Sequence, residues 1–250
     1  MRRLLASSLA ALMLASAALP ATAGQFDDAS KEEIRQIVKD YLMQHPEVIL
    51  ESVQAMQERQ DAARADEARG QIAGLREKLL RDPRDQVLGN PNGDVTLVEF
   101  FDYRCGYCKQ AQPILDELIK SDPKLRVVLK ELPILGPDSL VASRAALASV
   151  GQGKYREFHA ALIATKGALS DDKIMDVARG VGIDTDKLKK AMSDQAIAGH
   201  ITDNHALAEK LAINGTPSFI IGDQLVPGAV DLAALKKLVD TARGSCAGSC

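Results

Sequence analysis

Ile34, Ile37, Val38 and Tyr41 recur at helical spacing behind Ser30-Lys31-Glu32-Glu33. That tetrad reads as a capping box, with the Ser30 hydroxyl accepting from the Glu33 N–H and the Glu33 carboxylate reaching back. His45-Pro46 ends this helix and starts a second, since proline is tolerated at a first helical position. Ile49, Val53, Met56, Gln60 and Ala63 then follow at 4-3-4-3 spacing, a short heptad seam. Arg59 to Arg69 is mostly charged residues and alanine, and Gly70 and Gly74 interrupt the pattern before Leu75, Leu79 and Leu80. The pattern predicts a helical arm and linker over 24–82 with one thin apolar stripe and no sheet to cover it. Such a stripe is buried against copies of itself or by packing on the rest of the chain; self-association is the expectation adopted.

Beyond the turn signal Asn90-Pro91-Asn92-Gly93-Asp94 the periodicity changes. Val95 to Phe101 reads as a strand buried on both faces with one acid inside it. Ile114, Leu115, Leu118 and Ile119 mark a helix from Gln110 to Lys120, and Leu125 to Leu132 is the next strand, giving a β-α-β unit. A block of helices over about 138–212 is divided by Gly151, Gly167, Gly182 and Asp184-Thr185. Strand returns from Ser218 to Val226 as a strand pair, before a turn at Pro227-Gly228 and a last helix capped by Asp231.

The first residues have another purpose. Arg2 and Arg3 precede an apolar run from Leu9 to Leu19, and Ala21-Thr22-Ala23 supplies small residues for cleavage. Residues 1–23 are therefore expected to be a secretory signal peptide, the alternative being an uncleaved anchor. Its removal leaves 29 basic against 34 acidic side chains, a balance that gives no electrostatic case for nucleic acid. Export would carry the chain to a compartment that permits disulfide chemistry, expected to be the periplasm.

That matters because four cysteines are too few for a disulfide scaffold and enough for redox work. Cys105-Gly106-Tyr107-Cys108 falls between a strand and a helix. The first sulfur would meet the unpaired N–H groups and dipole of the helix start, and the second would lie one turn on. Cys105 is thus the expected attacking thiolate and Cys108 the resolving thiol. Gly106 leaves the approach open, and Tyr107 adds no charge to stabilise the thiolate. Half of a zinc site or an inert pair are the alternatives, but His45, His159, His200 and His205 form no ligand motif beside it.

Two remote features fit. Thr216-Pro217 stands at the entry of an apolar strand, where a cis bond and an ordinary trans turn are both open readings. Glu99 lies inside an apolar strand, where burial should raise its pKa and suit it to exchange a proton with Cys108. Lys130 is a candidate ion-pair partner for it.

The run Val98-Glu99-Phe100-Phe101-Asp102-Tyr103-Arg104-Cys105-Gly106-Tyr107-Cys108, with Gly215-Thr216-Pro217-Ser218-Phe219, resembles the DsbA family of thiol:disulfide oxidoreductases. The arm, with Tyr41-Leu42-Met43-Gln44-His45-Pro46-Glu47, resembles the Com1-like and ScsC-like (suppressor of copper sensitivity) branch. The resemblance implies an α/β thioredoxin fold over 83–243 with an inserted helical domain, preceded by an oligomerisation arm, with trimers favoured. It further implies a cis Pro217 beside Cys105, Thr216 pairing with substrate backbone, and a water-linked Glu99 beneath Cys108. Cys246 and Cys250 end a tail over 244–250 that departs from the family pattern; a 246–250 disulfide beside a 105–108 disulfide is the pairing preferred.

Three functions follow: a disulfide isomerase or reductase, favoured by the Gly-Tyr pair and the arm; a DsbA-like oxidase; and a Cu(I)-binding protein using one of the dithiols. The first implies exported cysteine-containing clients and a membrane thiol reductase of the DsbD/ScsB type. No cofactor or metal site is read from the residues.

Overall fold

The computed structural model describes residues 26–245, so the expected signal peptide and the Cys246/Cys250 tail lie outside the described residues. Contacts divide the chain after Glu58 into two units. In the first, α1 (Asp28–Gln44) ends at His45 and α2 (Glu47–Gly74) begins after Pro46. The cap of α1 differs from the expected box: Asp27 is the N-cap, its carboxylate accepting from the Ser30 N–H at 2.8 Å. An extended Asp27 starts the helix one turn earlier and places Ser30 inside it. Ile34, Ile37, Val38, Tyr41, Ile49, Val53 and Met56 are all exposed, and α1 buries no residue.

The second unit takes over at Arg59, in mid-α2. Gly70 does not break that helix, which runs to Gly74, because an isolated glycine costs only about 1 kcal/mol in a helix otherwise rich in alanine and charged residues. Ile72 and, on α3 (Arg76–Leu80), Leu79 are buried in the core of this unit. The segment expected to be arm and linker therefore gives its last turns to the body.

Five strands form one sheet in the order β1-β3-β2-β4-β5. They are β1 (Gln86–Gly89), β2 (Val95–Phe101), β3 (Leu125–Glu131), β4 (Ser218–Ile221) and β5 (Gln224–Pro227). β2 and β3 are parallel, joined through α4 (Gly106–Ser121), and the other pairings are antiparallel. β1 was not legible: four residues with one fully buried side chain make no alternating run. The strand pair expected from Ser218 to Val226 is a hairpin, in which Gly222 takes φ +63° and turns the chain.

Every residue of β2 is buried, and its two faces serve two cores. Leu97 and Phe101 pack with Val127, Leu129, Phe219 and the apolar sides of α4 and α10 (Leu232–Ser245). Val98 and Phe100 pack with Val128, Ile220, Leu79 and Leu207. The block between β3 and β4 is α5 (Pro137–Ala148), α6 (Tyr155–Ala164), α7 (Asp171–Gly180), α8 (Thr185–Ala191) and α9 (Gln195–Lys210). This is a thioredoxin fold with an inserted helical domain, preceded by helices.

Candidate active site

Cys105 sits where β2 hands over to α4, as the N-cap of that helix in extended conformation. Its sulfur accepts from the Cys108 N–H at 3.4 Å and donates to the Thr216 carbonyl at 3.1 Å. One N–H of the first turn therefore points at the sulfur that must carry charge. Both cysteines are free thiols, 6% and 1% exposed, so the structure describes the dithiol state and not the expected 105–108 disulfide. The Thr216–Pro217 peptide is cis. Tyr107 is 64% exposed, and a Cβ built on Gly106 meets nothing within 4 Å, so the face in front of Cys105 is open.

The loop bearing the thiols is held from behind by Asp102, which has no exposed surface. One carboxylate oxygen accepts from the Arg104 N–H and the Ser139 hydroxyl, at 2.7 and 2.8 Å, and the other from the Ile134 and Leu135 N–H groups. Its carbonyl takes the Cys105 N–H at 3.0 Å. One side chain thus fixes the approach to the thiols against the loop that leads into α5.

Glu99 is buried on the face of β2 that looks toward α4, and one of its carboxylate oxygens has no hydrogen-bond partner among the described residues. Burial pushes its pKa up to about 8, with the negative charges of Asp116 and Glu131 pushing the same way. Burial also pushes the Cys108 thiol well above its usual range; a backbone hydrogen bond from Asp102 opposes this, and Glu99 adds to it.

Lys130 does not pair with Glu99. In the parallel register Glu99 lies beside Leu129 and Phe100 beside Lys130, which puts the lysine on the opposite face. There its ammonium meets Asp85 at 2.5 Å and the Lys78 carbonyl at 2.6 Å, while Asp85 also meets His200 Nε2 at 3.0 Å.

A second buried acid escaped the sequence reading. Glu131 lies diagonally across from Glu99 on the same face and accepts from Tyr103, Tyr155 and Ser143 at 3.1, 2.8 and 2.7 Å. The Tyr103 hydroxyl also meets His159 Nδ1 at 3.0 Å, and His159 Nε2 meets Gln112 at 3.2 Å. Burial pushes Glu131 up to about 8 against the pull of those hydroxyls, and pushes His159 down to about 4. The signal was an acid inside an apolar strand, the same one that marks Glu99.

Residues 96–240 match the DSBA-like thioredoxin domain, more than half of the chain. The chain belongs to the DsbA family. Residues 31–63 match the copper resistance protein ScsC N-terminal domain, so the helical segment is ScsC-like. A thioredoxin-like oxidoreductase from Silicibacter pomeroyi is 47% identical, aligning 68% of this chain with 99% of that one at a TM-score of 0.67. The thiol-disulfide exchange protein α-DsbA2 of Wolbachia pipientis is 36% identical over 72% of this chain and 97% of its own, with a TM-score of 0.67. Proteus mirabilis ScsC, in a transitional conformation, is 30% identical over 88% of this chain and 100% of its own, with a TM-score of 0.66. The Na(+)/H(+) antiporter NhaA 1 of Salinispora arenicola is 32% identical over 164 residues, 64% of this chain and 25% of that protein. The chain thus spans about a quarter of the length of the curated relatives it matches. Among the described residues no helix is long and apolar enough to cross a membrane. The matches thus place the chain in a thiol–disulfide oxidoreductase family.

Proposed function

We propose that this DsbA-family chain is an exported disulfide isomerase or reductase that acts on cysteine-containing clients as an oligomer, with trimers favoured. The observation that carries the reading is the uncovered apolar stripe of the first unit, from Ile34 to Met56. Burying it against copies of itself would hold several Cys105 thiols around one client. The uncharged Tyr107 beside an open Gly106 supports the same direction, because an isomerase must also release the mixed disulfide it forms.

The chemistry is an exchange of sulfur bonds. The Cys105 thiolate attacks one sulfur of a client disulfide, forming a mixed disulfide and releasing the other client sulfur as thiolate. In isomerisation that thiolate, or another from the client, attacks elsewhere and frees Cys105. When this fails, Cys108 attacks the Cys105 sulfur, and the client leaves reduced. Cys108 must lose a proton for that step, and Glu99, ionising near pH 8, is the acceptor proposed. Thr216, with its carbonyl at the Cys105 sulfur, and Pro217 are the proposed contacts for client backbone. An oxidised Cys105–Cys108 pair then needs a membrane reductase of the DsbD/ScsB type.

Reactivation of scrambled-disulfide ribonuclease by reduced protein tests the reading, beside a form cut before Arg59. The cut belongs there and not at residue 82, because Ile72 and Leu79 are part of the core. Reactivation by the full chain alone is expected. No reactivation, with rapid oxidation of a reduced substrate by the disulfide form, makes the protein an oxidase. Cys108→Ser should trap the mixed disulfide with clients, visible as a reducible adduct by mass spectrometry.

A further inference from the structure

His159 of α6 is a buried titratable group that the exchange chemistry above does not use. Its ring stacks on Tyr155 and meets Phe101 edge-on, with almost no exposed surface. Burial pushes its pKa down to about 4, so at neutral pH the ring carries one N–H and one lone pair. Which nitrogen holds the proton follows from its outer neighbour. Gln112, half-buried on α4, donates its amide N–H to the exposed Asp116 carboxylate at 2.9 Å. A carboxylate only accepts, so the amide oxygen must be the atom 3.2 Å from His159 Nε2. Nε2 therefore bears the hydrogen, and Nδ1 presents its lone pair to the Tyr103 hydroxyl at 3.0 Å.

That polarity reaches Glu131. The Tyr103 hydroxyl has a single proton and stands between Nδ1 and the Glu131 carboxyl, 3.1 Å away. When Glu131 is protonated, it donates to the phenol oxygen and the phenol donates to Nδ1, so each hydrogen from Glu131 to Asp116 has an acceptor. When Glu131 is ionised, Tyr103 donates to it instead, and the Nδ1 lone pair faces an oxygen with no hydrogen between them. Leaving a buried acceptor unmatched is costly. We infer that Gln112 is a positioning residue for the resolving step: through His159 and Tyr103 it holds the proton on Glu131, and so limits the negative charge that bears on Glu99. The inference rests on the proton role proposed for Glu99. The groups facing the two acids come from every element packed on them. β2 gives Glu99, the loop after it Asp102 and Tyr103, α4 Cys108 and Asp116, and α6 Tyr155 and His159. α5 and α9 supply neutral donors, Ser143 to the Glu131 carboxyl and Asn204 to the Glu131 backbone carbonyl. Among the described residues, Tyr103 is the one hydrogen-bonded to both Glu131 and His159.

The first test reads the tautomer by NMR on the full reduced chain carrying nitrogen-labelled histidine, with the His159 ring identified by its contacts to Phe101 and Tyr155. A proton on Nε2 is expected at neutral pH; a proton on Nδ1 overturns the inference. Gln112→Leu then removes the acceptor while keeping a good helix former. The proton should move to Nδ1, which donates to Tyr103 and leaves Tyr103 free to donate to an ionised Glu131. Glu131 is then more often negative, and Glu99 ionises at higher pH. Stopped-flow release of a client thiol should show the pH profile of the resolving step displaced upward by about half a pH unit, roughly threefold slower on its rising limb. Gln110→Leu, exposed on the same helix, should leave tautomer and profile as in the parent. A profile that Gln112→Leu does not move, or that Gln110→Leu moves equally, overturns the inference. If the resolving step of the parent does not rise with pH, the proton role of Glu99 fails and the positioning role with it, a result that the parent alone tells apart from the others. Should Gln112→Leu not fold, the tautomer in the unaltered chain decides.

Discussion

The two faces of β2 and β3 treat buried charge in opposite ways. On one, the Lys130 ammonium is enclosed by Asp85 and the Lys78 carbonyl, and Asp85 is shared with His200. On the other, Glu99 and Glu131 are buried with negative neighbours; Glu131 has three hydroxyl donors, and one Glu99 oxygen has no partner. A closed set of opposite charges can only hold its shape. Carboxyl groups left without a cation must use a proton for neutrality, and a proton can be given away. The first arrangement braces β3 against the segment around Asp85, while the second lies behind the cysteines.

That contrast is broken most severely on the braced face. Lys130→Met should cost about 3–5 kcal/mol, because it leaves Asp85 buried beside His200 without its cation. Chemical denaturation would measure the loss, and the rate of thiol exchange per folded molecule should stay as it was. A rate that fell with Lys130 would mean that the two faces are coupled.

Glu99→Gln should do the reverse, stabilising the fold and slowing the chemistry. The folded pKa of Glu99 is raised from 4.5 to about 8, so between these values the native state holds a proton that the unfolded chain has released. Stability from this group is therefore full below pH 4.5 and falls as pH rises to about 8. An amide resembles the protonated acid at every pH. The variant should match the parent below pH 4.5 and exceed it by about 2 kcal/mol at pH 6. Resolution of the mixed disulfide by Cys108, which should accelerate through pH 8 in the parent, should become slow and lose that rise. Stopped-flow release of a client thiol at several pH values checks the second half, and thermal unfolding the first.

How far these features could be read in advance depends on whether they are local in the chain. The Cys105–Cys108 spacing, the helix that starts between them and the strand before them lie within about a dozen residues, and each was legible from type and spacing. Thr216 and Pro217 could be singled out for their place before an apolar strand, whereas the bond's geometry was left open there. The partner of Lys130 could not be read, because it depends on register: one residue of slip moves a side chain to the other face. Glu131 was missed for a different reason. Tyr103, Ser143 and Tyr155 are between 12 and 28 residues away from it, and only the folded β2–α4 loop and helical insertion together bring their hydroxyls to one carboxylate. The end of the arm was misjudged likewise, since Ile72 and Leu79 continue a helical pattern whose burial only the sheet reveals.

The smallest effect is the most discriminating for the unpaired face. Tyr155→Phe removes one of the three hydroxyls on Glu131 and should cost about 1 kcal/mol. Its consequence for the chemistry has a definite sign. With one donor fewer, Glu131 holds its proton more firmly and is less often negative. The negative charge of Glu131 helps to raise Glu99, so the Glu99 pKa should fall below its value of about 8. The rise in the resolving step with pH should then begin at lower pH than in the parent, with its plateau unchanged. Tyr103→Phe should move it the same way, but with a larger loss of stability, because that hydroxyl also serves His159. If either variant loses stability and leaves the pH profile in place, Glu131 acts as a structural anchor and Glu99 titrates alone.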